Sequence, residues 1–174
     1  MTRAFVNLIG FQAVWFVCAL GAARGLSWPG LLLAAVFVAL HLAMATETNL
    51  AALTLLGSAL TGLAVESALI DFGVVHYAAP WPSDNFAPAW IVALWLAFGA
   101  TLAPMRALFG SGLKAAIAGA VFGPVAYEAG ESLGAMNLQS PAWRTVLVLS
   151  LAWAGALPVL LALQGALDAR ARPA

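Results

Sequence analysis

Residues 143–165, WRTVLVLSLAWAGALPVLLALQG, form a stretch of 23 residues whose only charged side chain is that of Arg144. A helix rises about 1.5 Å per residue, so about 20 apolar residues cross the hydrocarbon layer of a bilayer, which is roughly 30 Å thick. The stretch also lacks the strict alternation of apolar and polar residues that a membrane β-strand requires. It therefore predicts a transmembrane helix.

Five more stretches of the same kind precede it along the chain. They span residues 4–22, 28–45, 50–72, 88–105 and 113–134. Hydrophobic residues make up 64% of the chain and charged residues 8%, against about 25% charged in a soluble domain. The sequence predicts an all-α, polytopic membrane protein: a bundle of about six transmembrane helices that forms a single integral membrane domain over residues 1–174.

Arginine and lysine residues indicate the orientation of this bundle, because loops on the cytoplasmic side carry an excess of them. In a six-helix topology five of the seven fall on the side of both termini, and two fall on the opposite side. The five are Arg3, Arg106, Lys114, Arg170 and Arg172, and the two are Arg24 and Arg144. Both termini are therefore predicted to be cytoplasmic.

The first stretch resembles a secretory signal peptide in two respects. Arg3 precedes its apolar core, and small residues occupy most of positions 19–23. Asn7 and Gln12 interrupt the core, however, and removal of the stretch would place the two termini on opposite sides of the membrane. We therefore expect residues 4–22 to remain as the first helix.

Several classes of function find no support in the sequence. The net charge is zero and no basic run is present, so a nucleic-acid partner is not expected. Cys18 is the single cysteine, and the two histidines, His41 and His76, are predicted on opposite faces of the membrane. We therefore expect no metal site and no cofactor. The motifs GxSxG, HExxH and GxxxxGK[ST] are also absent, so no catalytic residue is assigned.

The third predicted helix carries a polar stripe. Ser58 and Gly62 are four residues apart, a spacing of small residues that lets two membrane helices approach closely. Glu66 follows at the same interval and therefore lies on the same face. A carboxyl group facing lipid is costly, so we expect Glu66 to point into the bundle.

The fifth predicted helix carries small residues on one face and carboxylates on another, so it should avoid lipid on both faces. Its predicted packing residues are Gly119, Gly123, Gly130 and Gly134. Glu128 and Glu131 share the second face with Pro124. Because proline has no backbone N–H, Pro124 should leave the carbonyl of Ala120 free to bind another group. This helix is predicted to be central.

Counting residues from the cytoplasmic ends places three glutamates in the periplasmic half of the membrane, on the same side as His76 and Asp84. We interpret this convergence as a polar pocket that opens toward the periplasm. Its predicted residues are Glu66, Tyr127, Glu128 and Glu131. An alternative is that the glutamates reach interfacial water or bond to backbone groups at helix ends.

Three stretches carry distinctive patterns: GFQAVWFVCALGA at residues 10–22, PAWIVALWLAFGATL at 88–102 and GPVAYEAGESLGA at 123–135. Together they resemble a family of bacterial inner-membrane proteins of unknown function, domain-of-unknown-function family twenty-eight seventy-eight. The resemblance extends over nearly the whole chain and implies a multi-pass protein of the inner membrane. It also implies an acidic residue at the position of Glu66, whereas Glu128 and Glu131 are less typical of the family.

The sequence leaves three functions open. The first is a membrane component without enzymatic activity that transports, binds or scaffolds lipid-related molecules through the polar pocket. The second is a membrane-embedded, lipid-modifying enzyme that uses a carboxylate as acid and base. The third is a structural partner of another membrane protein, or of a second copy of this chain, bound through the stripes of small residues. We expect the first, with membrane lipids as the partner.

Overall fold

The structure is a computed structural model that describes residues 2–139 and 141–171, without the side chains of Thr2 and Arg3. Seven helices and two short strands lie in this part of the chain: α1 Thr2–Ala22, α2 Trp28–Ala43, α3 Thr48–Asp71, β1 Val75–Tyr77, α4 Ala89–Gly99, α5 Leu102–Phe109, α6 Leu113–Ser132, β2 Met136–Leu138 and α7 Ala142–Arg170. The predicted helical fold is confirmed. Arg172 and the side chain of Arg3, two of the residues that indicated the orientation, lie outside the described residues.

Three helices in the described ranges are long and apolar enough to cross a membrane, namely α1, α3 and α7. Counted as one broken span, α4 and α5 make a fourth. Helix α2 is apolar but has only 16 residues. Many large apolar side chains on these helices are exposed, among them Leu60 at 66% and Leu151 at 65%. Contact of such a surface with the lipid of a bilayer has no free-energy cost, whereas contact with water is unfavourable.

The single helix predicted over residues 88–105 is broken in the structure. It forms α4 and α5, which meet at an angle of 59°. The break follows from Pro104, whose missing N–H cannot bond to the carbonyl of Ala100 four residues earlier. The side-chain amide of Asn7 donates to that carbonyl instead, at 3.0 Å, and so connects α1 to the break.

Helix α3 packs closely against α4 through the predicted stripe of small residues. The hydroxyl of Ser58 donates to the backbone carbonyl of Trp95 at 2.6 Å. One turn further along, the indole ring of Trp95 lies directly against Gly62, in space that a β-carbon would fill. Gly62 is therefore required for this ring to enter the core.

Helix α6 packs against α7 through two of its glycines. A β-carbon at Gly119 would overlap the backbone of Trp153, and one at Gly123 would overlap its side chain. Pro124 leaves the carbonyl of Ala120 without its helical donor, as expected. That carbonyl accepts a hydrogen bond from the hydroxyl of Ser150 on α7, at 2.9 Å.

The strands pair in antiparallel fashion, with Tyr77 opposite Met136. Gly130, one of the predicted packing residues, lies against the side chain of Met136. Gly134 differs from the prediction, because it lies beyond the last residue of α6 at φ +82°. This left-handed conformation, which glycine adopts readily, ends the helix and turns the chain into β2.

At the end of the bundle opposite the strand pair lies a cleft of about 430 Å³, which we call the terminal cleft. Residues from the start of α1 and from the end of α7 line it, including Asn7 and Asp168. The last turn of α2 and the start of α3 contribute His41 and Leu50. The two ends of the described chain therefore lie on one side of the molecule, away from the strand pair.

The close packing of α6 on α7 yields a test of the fold. We expect Gly123→Leu to lower the melting temperature of the protein in detergent, corresponding to a loss of about 1–3 kcal/mol, because the new side chain overlaps Trp153. Gly155→Leu on α7 is the control, since open space surrounds a β-carbon there. Equal melting temperatures for the two variants would contradict this packing.

Candidate functional site

Glu66 lies near the end of α3 with its carboxyl group buried, and the residue is 2% exposed. Three side chains donate hydrogen bonds to it. The indole N–H of Trp95 reaches Oε1 at 2.6 Å, and the hydroxyl of Tyr127 lies 2.6 Å from Oε1 and 2.7 Å from Oε2. The hydroxyl of Tyr77 donates to Oε2. We refer to these four residues as the carboxyl cluster.

Each member of the carboxyl cluster comes from a different element. Tyr77 is the last residue of β1, and its pairing with Met136 of β2 places it over the end of α3. Trp95 belongs to α4, and its ring packs inside the bundle, where Gly62 on α3 leaves room for it. Tyr127 lies one turn beyond Gly123 on α6. The cluster therefore forms only when α3, α4, α6 and the strand pair are all in place.

Only neutral groups bond to the Glu66 carboxyl. Elsewhere in the described ranges the one ion pair is Arg106 with Asp168, 4.0 Å apart and at the other end of the bundle. Burial, and then the charge of Glu66, raise the pKa of Tyr77 well above its usual range. The hydroxyl of Tyr77, which lies outside the candidate spans, therefore keeps its proton at neutral pH and remains a donor.

The carboxyl cluster forms the floor of a second cleft, of about 440 Å³, which we call the lateral cleft. Helices α1 and α6 line its two sides without an extensive interface between them. Phe16 on α1 and Phe122 on α6 form its rim, and they are 49% and 63% exposed. The lateral cleft therefore opens between exposed apolar side chains on the side of the bundle.

Aromatic rings make up much of the wall of the lateral cleft. Nine aromatic residues line it, which is half of those in the chain. Trp95 and Trp153 stack with ring centroids 4.7 Å apart. The edge of Phe98 packs against both, and Phe11 extends the group toward α1. The wall is thus a continuous aromatic surface that ends at one carboxyl group.

The structure brings two of the four predicted pocket residues together, Glu66 and Tyr127, and leaves the other two outside. Glu128 follows Tyr127 directly, and a rotation of about 100° per residue turns it to the exposed face of α6. Glu131 is also exposed, and its Oε1 accepts from the backbone N–H of Leu138 at 2.7 Å. This is the backbone contact at a helix end that the sequence left open as an alternative.

Two residues of the cluster, Tyr77 and Trp95, were not assigned to the pocket from sequence. Trp95 lies mid-span in the predicted fourth helix, where its indole N–H needs an acceptor, and this requirement is the signal that could have indicated a buried polar partner. Tyr77 lies in the long connection after α3, which reads as an interfacial loop. Its position follows from pairing with β2, a contact between residues far apart in sequence.

Metal ligands do not gather anywhere in the described part of the chain: no three His, Cys, Asp or Glu residues lie close enough together to hold an ion. His41 lines the terminal cleft, with its Nδ1 3.4 Å from the side-chain amide of Asn7. His76 is exposed in β1 at the other end of the molecule. The two histidines thus lie apart.

Residues 4–159 match the model of a family described as protein of unknown function, DUF2878. The chain belongs to this family. The resemblance seen in the three sequence stretches is therefore confirmed, and the family match includes every member of the carboxyl cluster of this DUF2878 protein. No curated protein and no solved structure matches the chain.

Removal of one donor tests the carboxyl cluster. We expect Tyr127→Phe to destabilise the protein by about 1–3 kcal/mol, because the buried carboxyl of Glu66 loses one of its hydrogen-bond donors. Thermal unfolding in detergent, followed by circular dichroism, measures the loss. Ser132→Ala on the same helix is the control, since its exposed hydroxyl bonds only to the carbonyl of Glu128 in its own helix. Unchanged unfolding of Tyr127→Phe would contradict the geometry of the cluster.

Proposed function

We propose that this DUF2878 protein is a multi-pass component of the bacterial inner membrane that binds lipid-related molecules in the lateral cleft, without catalysing a reaction. The observation that carries the proposal is the shape of this cleft. It is apolar over most of its wall, it opens sideways on the exposed apolar surface, and it ends at a single buried carboxyl group. A lipid entering from the bilayer would bury its chain along the wall and place its polar end at the carboxyl cluster.

The proposed topology has six crossings with both termini in the cytoplasm, counting α4 and α5 together as one. The terminal cleft supports it, because the start of α1 and the end of α7 lie at the same end of the bundle. Arg106 and Arg170 belong to the helix ends on that side, in agreement with the excess of positive charge on the cytoplasmic side. In this orientation the carboxyl cluster lies in the periplasmic half of the membrane.

The side opening favours a lipid over a water-soluble ligand. Phe122 and Val125, which line the cleft on α6, are exposed at 63% and 55%, and in the proposed topology α6 is one of the crossings. A molecule dissolved in the bilayer reaches this opening directly. The ligand then exchanges contacts with lipid acyl chains for contacts with the aromatic rings of the wall, at little cost in free energy. The specificity of binding therefore depends on the polar group of the ligand that contacts Glu66.

Retention of lipid by the purified protein tests the proposal. We expect wild-type protein, extracted in a mild detergent and analysed by native mass spectrometry, to carry a bound lipid. Glu66→Gln should reduce the bound fraction severalfold, because the amide offers one acceptor oxygen where the carboxylate offers two. Glu128→Gln on the exposed face of α6 should retain it.

The other outcomes oppose the proposal in distinct ways. Equal retention by the two glutamine variants would remove Glu66 from the binding site. Chemical conversion of the lipid by the purified protein alone would indicate an enzyme with a carboxylate acid and base. A stoichiometric partner protein in place of lipid would indicate a scaffold.

A further inference from the structure

The lateral cleft contains a negative group without a positive partner. Glu66 is its only acidic side chain, and none of the described residues that line it is Lys, Arg or His. The donor set suits the ionised carboxylate: Trp95 N–H can only donate, and Tyr77 and Tyr127 add two more donors. A carboxylate shielded from water by neutral groups alone is left without the counter-charge that normally offsets its burial.

The aromatic wall supplies the other half of a site for a cation. The faces and edges of Trp95, Trp153 and Phe98 meet within 6.0 Å of one another beside the carboxyl cluster. The negative face of an aromatic ring attracts an organic cation. Rings arranged around a carboxylate therefore favour a positive group that has an apolar body.

The Glu66 carboxylate, and the lack of cations in the described lining, disfavour ligands with other polar groups. A phosphate or carboxylate on the ligand would face Glu66 with no cation nearby to hold it. A small inorganic cation would need about six oxygen ligands in one place, and the described lining offers one carboxyl group, two tyrosine hydroxyls that already donate to it, and the amide of Gln12 on the exposed wall. A neutral lipid would supply no counter-charge to an ionised Glu66.

We propose that the lateral cleft binds amphipathic organic cations, molecules that join one ammonium or other onium group to an apolar body and carry no anionic group. This inference rests on the proposed function, since it names the class of lipid-related ligand that the lateral cleft takes. The positive centre lies against the Glu66 carboxylate, at the border of the stacked pair of Trp95 and Trp153. The apolar body extends between α1 and α6 toward the rim.

Two probe ions of the same size and opposite charge test the proposal, tetraphenylphosphonium and tetraphenylborate. Purified protein in an uncharged detergent is titrated with each, and binding is followed through tryptophan fluorescence, because Trp95 and Trp153 line the site. We expect tetraphenylphosphonium to bind with saturation, and tetraphenylborate to show no saturable binding. Saturable binding of both ions, or of neither, would overturn the proposal.

Three variants test whether binding of tetraphenylphosphonium depends on the charge of Glu66. Glu66→Gln should weaken tetraphenylphosphonium binding about tenfold to a hundredfold, the loss expected for a partly desolvated ion pair. Glu66→Asp, which keeps the charge, should bind the probe more tightly than Glu66→Gln. Gln12→Lys places a positive charge on an exposed residue of the cleft wall, away from the core, and should weaken binding even if the Glu66 variants fold poorly. Wild-type affinity in Gln12→Lys, or equal affinities in the two Glu66 variants, would contradict a site selected by charge.

The two proposals fail in different ways. A protein that retains a neutral or anionic lipid and ignores tetraphenylphosphonium keeps the proposed function and loses the inference about charge. A protein that binds tetraphenylphosphonium through Glu66 but retains no lipid keeps the cation site and loses the lipid-binding function.

Discussion

The rest of the structure depends on how a single carboxyl group is kept away from water. Glu66 accepts hydrogen bonds from Tyr77, Trp95 and Tyr127, which belong to β1, α4 and α6. In a low-dielectric interior an unpaired carboxyl is very costly, so these bonds are worth most when all of them form together. One acidic residue therefore fixes the relative positions of elements that are far apart in sequence. The glycines that admit Trp95 and Trp153 to the core serve the same end, since both rings form the wall above the carboxyl.

Two backbone carbonyls freed by proline accept hydrogen bonds from side chains on other helices. Asn7 bonds to the carbonyl that Pro104 leaves open, and Ser150 bonds to the one that Pro124 leaves open. In the first case the helix breaks, and in the second it continues. The sequence predicted the free carbonyl at Ala120, but not the break at Ala100, because an unbroken apolar run conceals it. Hydrophobicity alone does not report backbone geometry.

The sequence predicted the helical fold, the family and the inward position of Glu66, since each depends on local pattern or on the cost of charge in lipid. It did not predict which side chains would meet that carboxyl. Tyr77 reaches it through the pairing of β1 with β2, and Trp95 through a gap above Gly62. Both contacts join distant parts of the chain. Glu128 and Glu131 were also predicted to line the pocket because they lie close to Tyr127 along the chain, but both are exposed, and Glu131 accepts from the backbone of Leu138.

The strand pair has a mechanical consequence. β1 and β2 join the end of α3 to the end of α6 by backbone hydrogen bonds, which continue through Ala78 to Ala135 and Gln139 to Val74. These two helix ends cannot separate while the bonds hold. The strand pair therefore tethers two helices, α3 and α6, that have no extensive interface of their own.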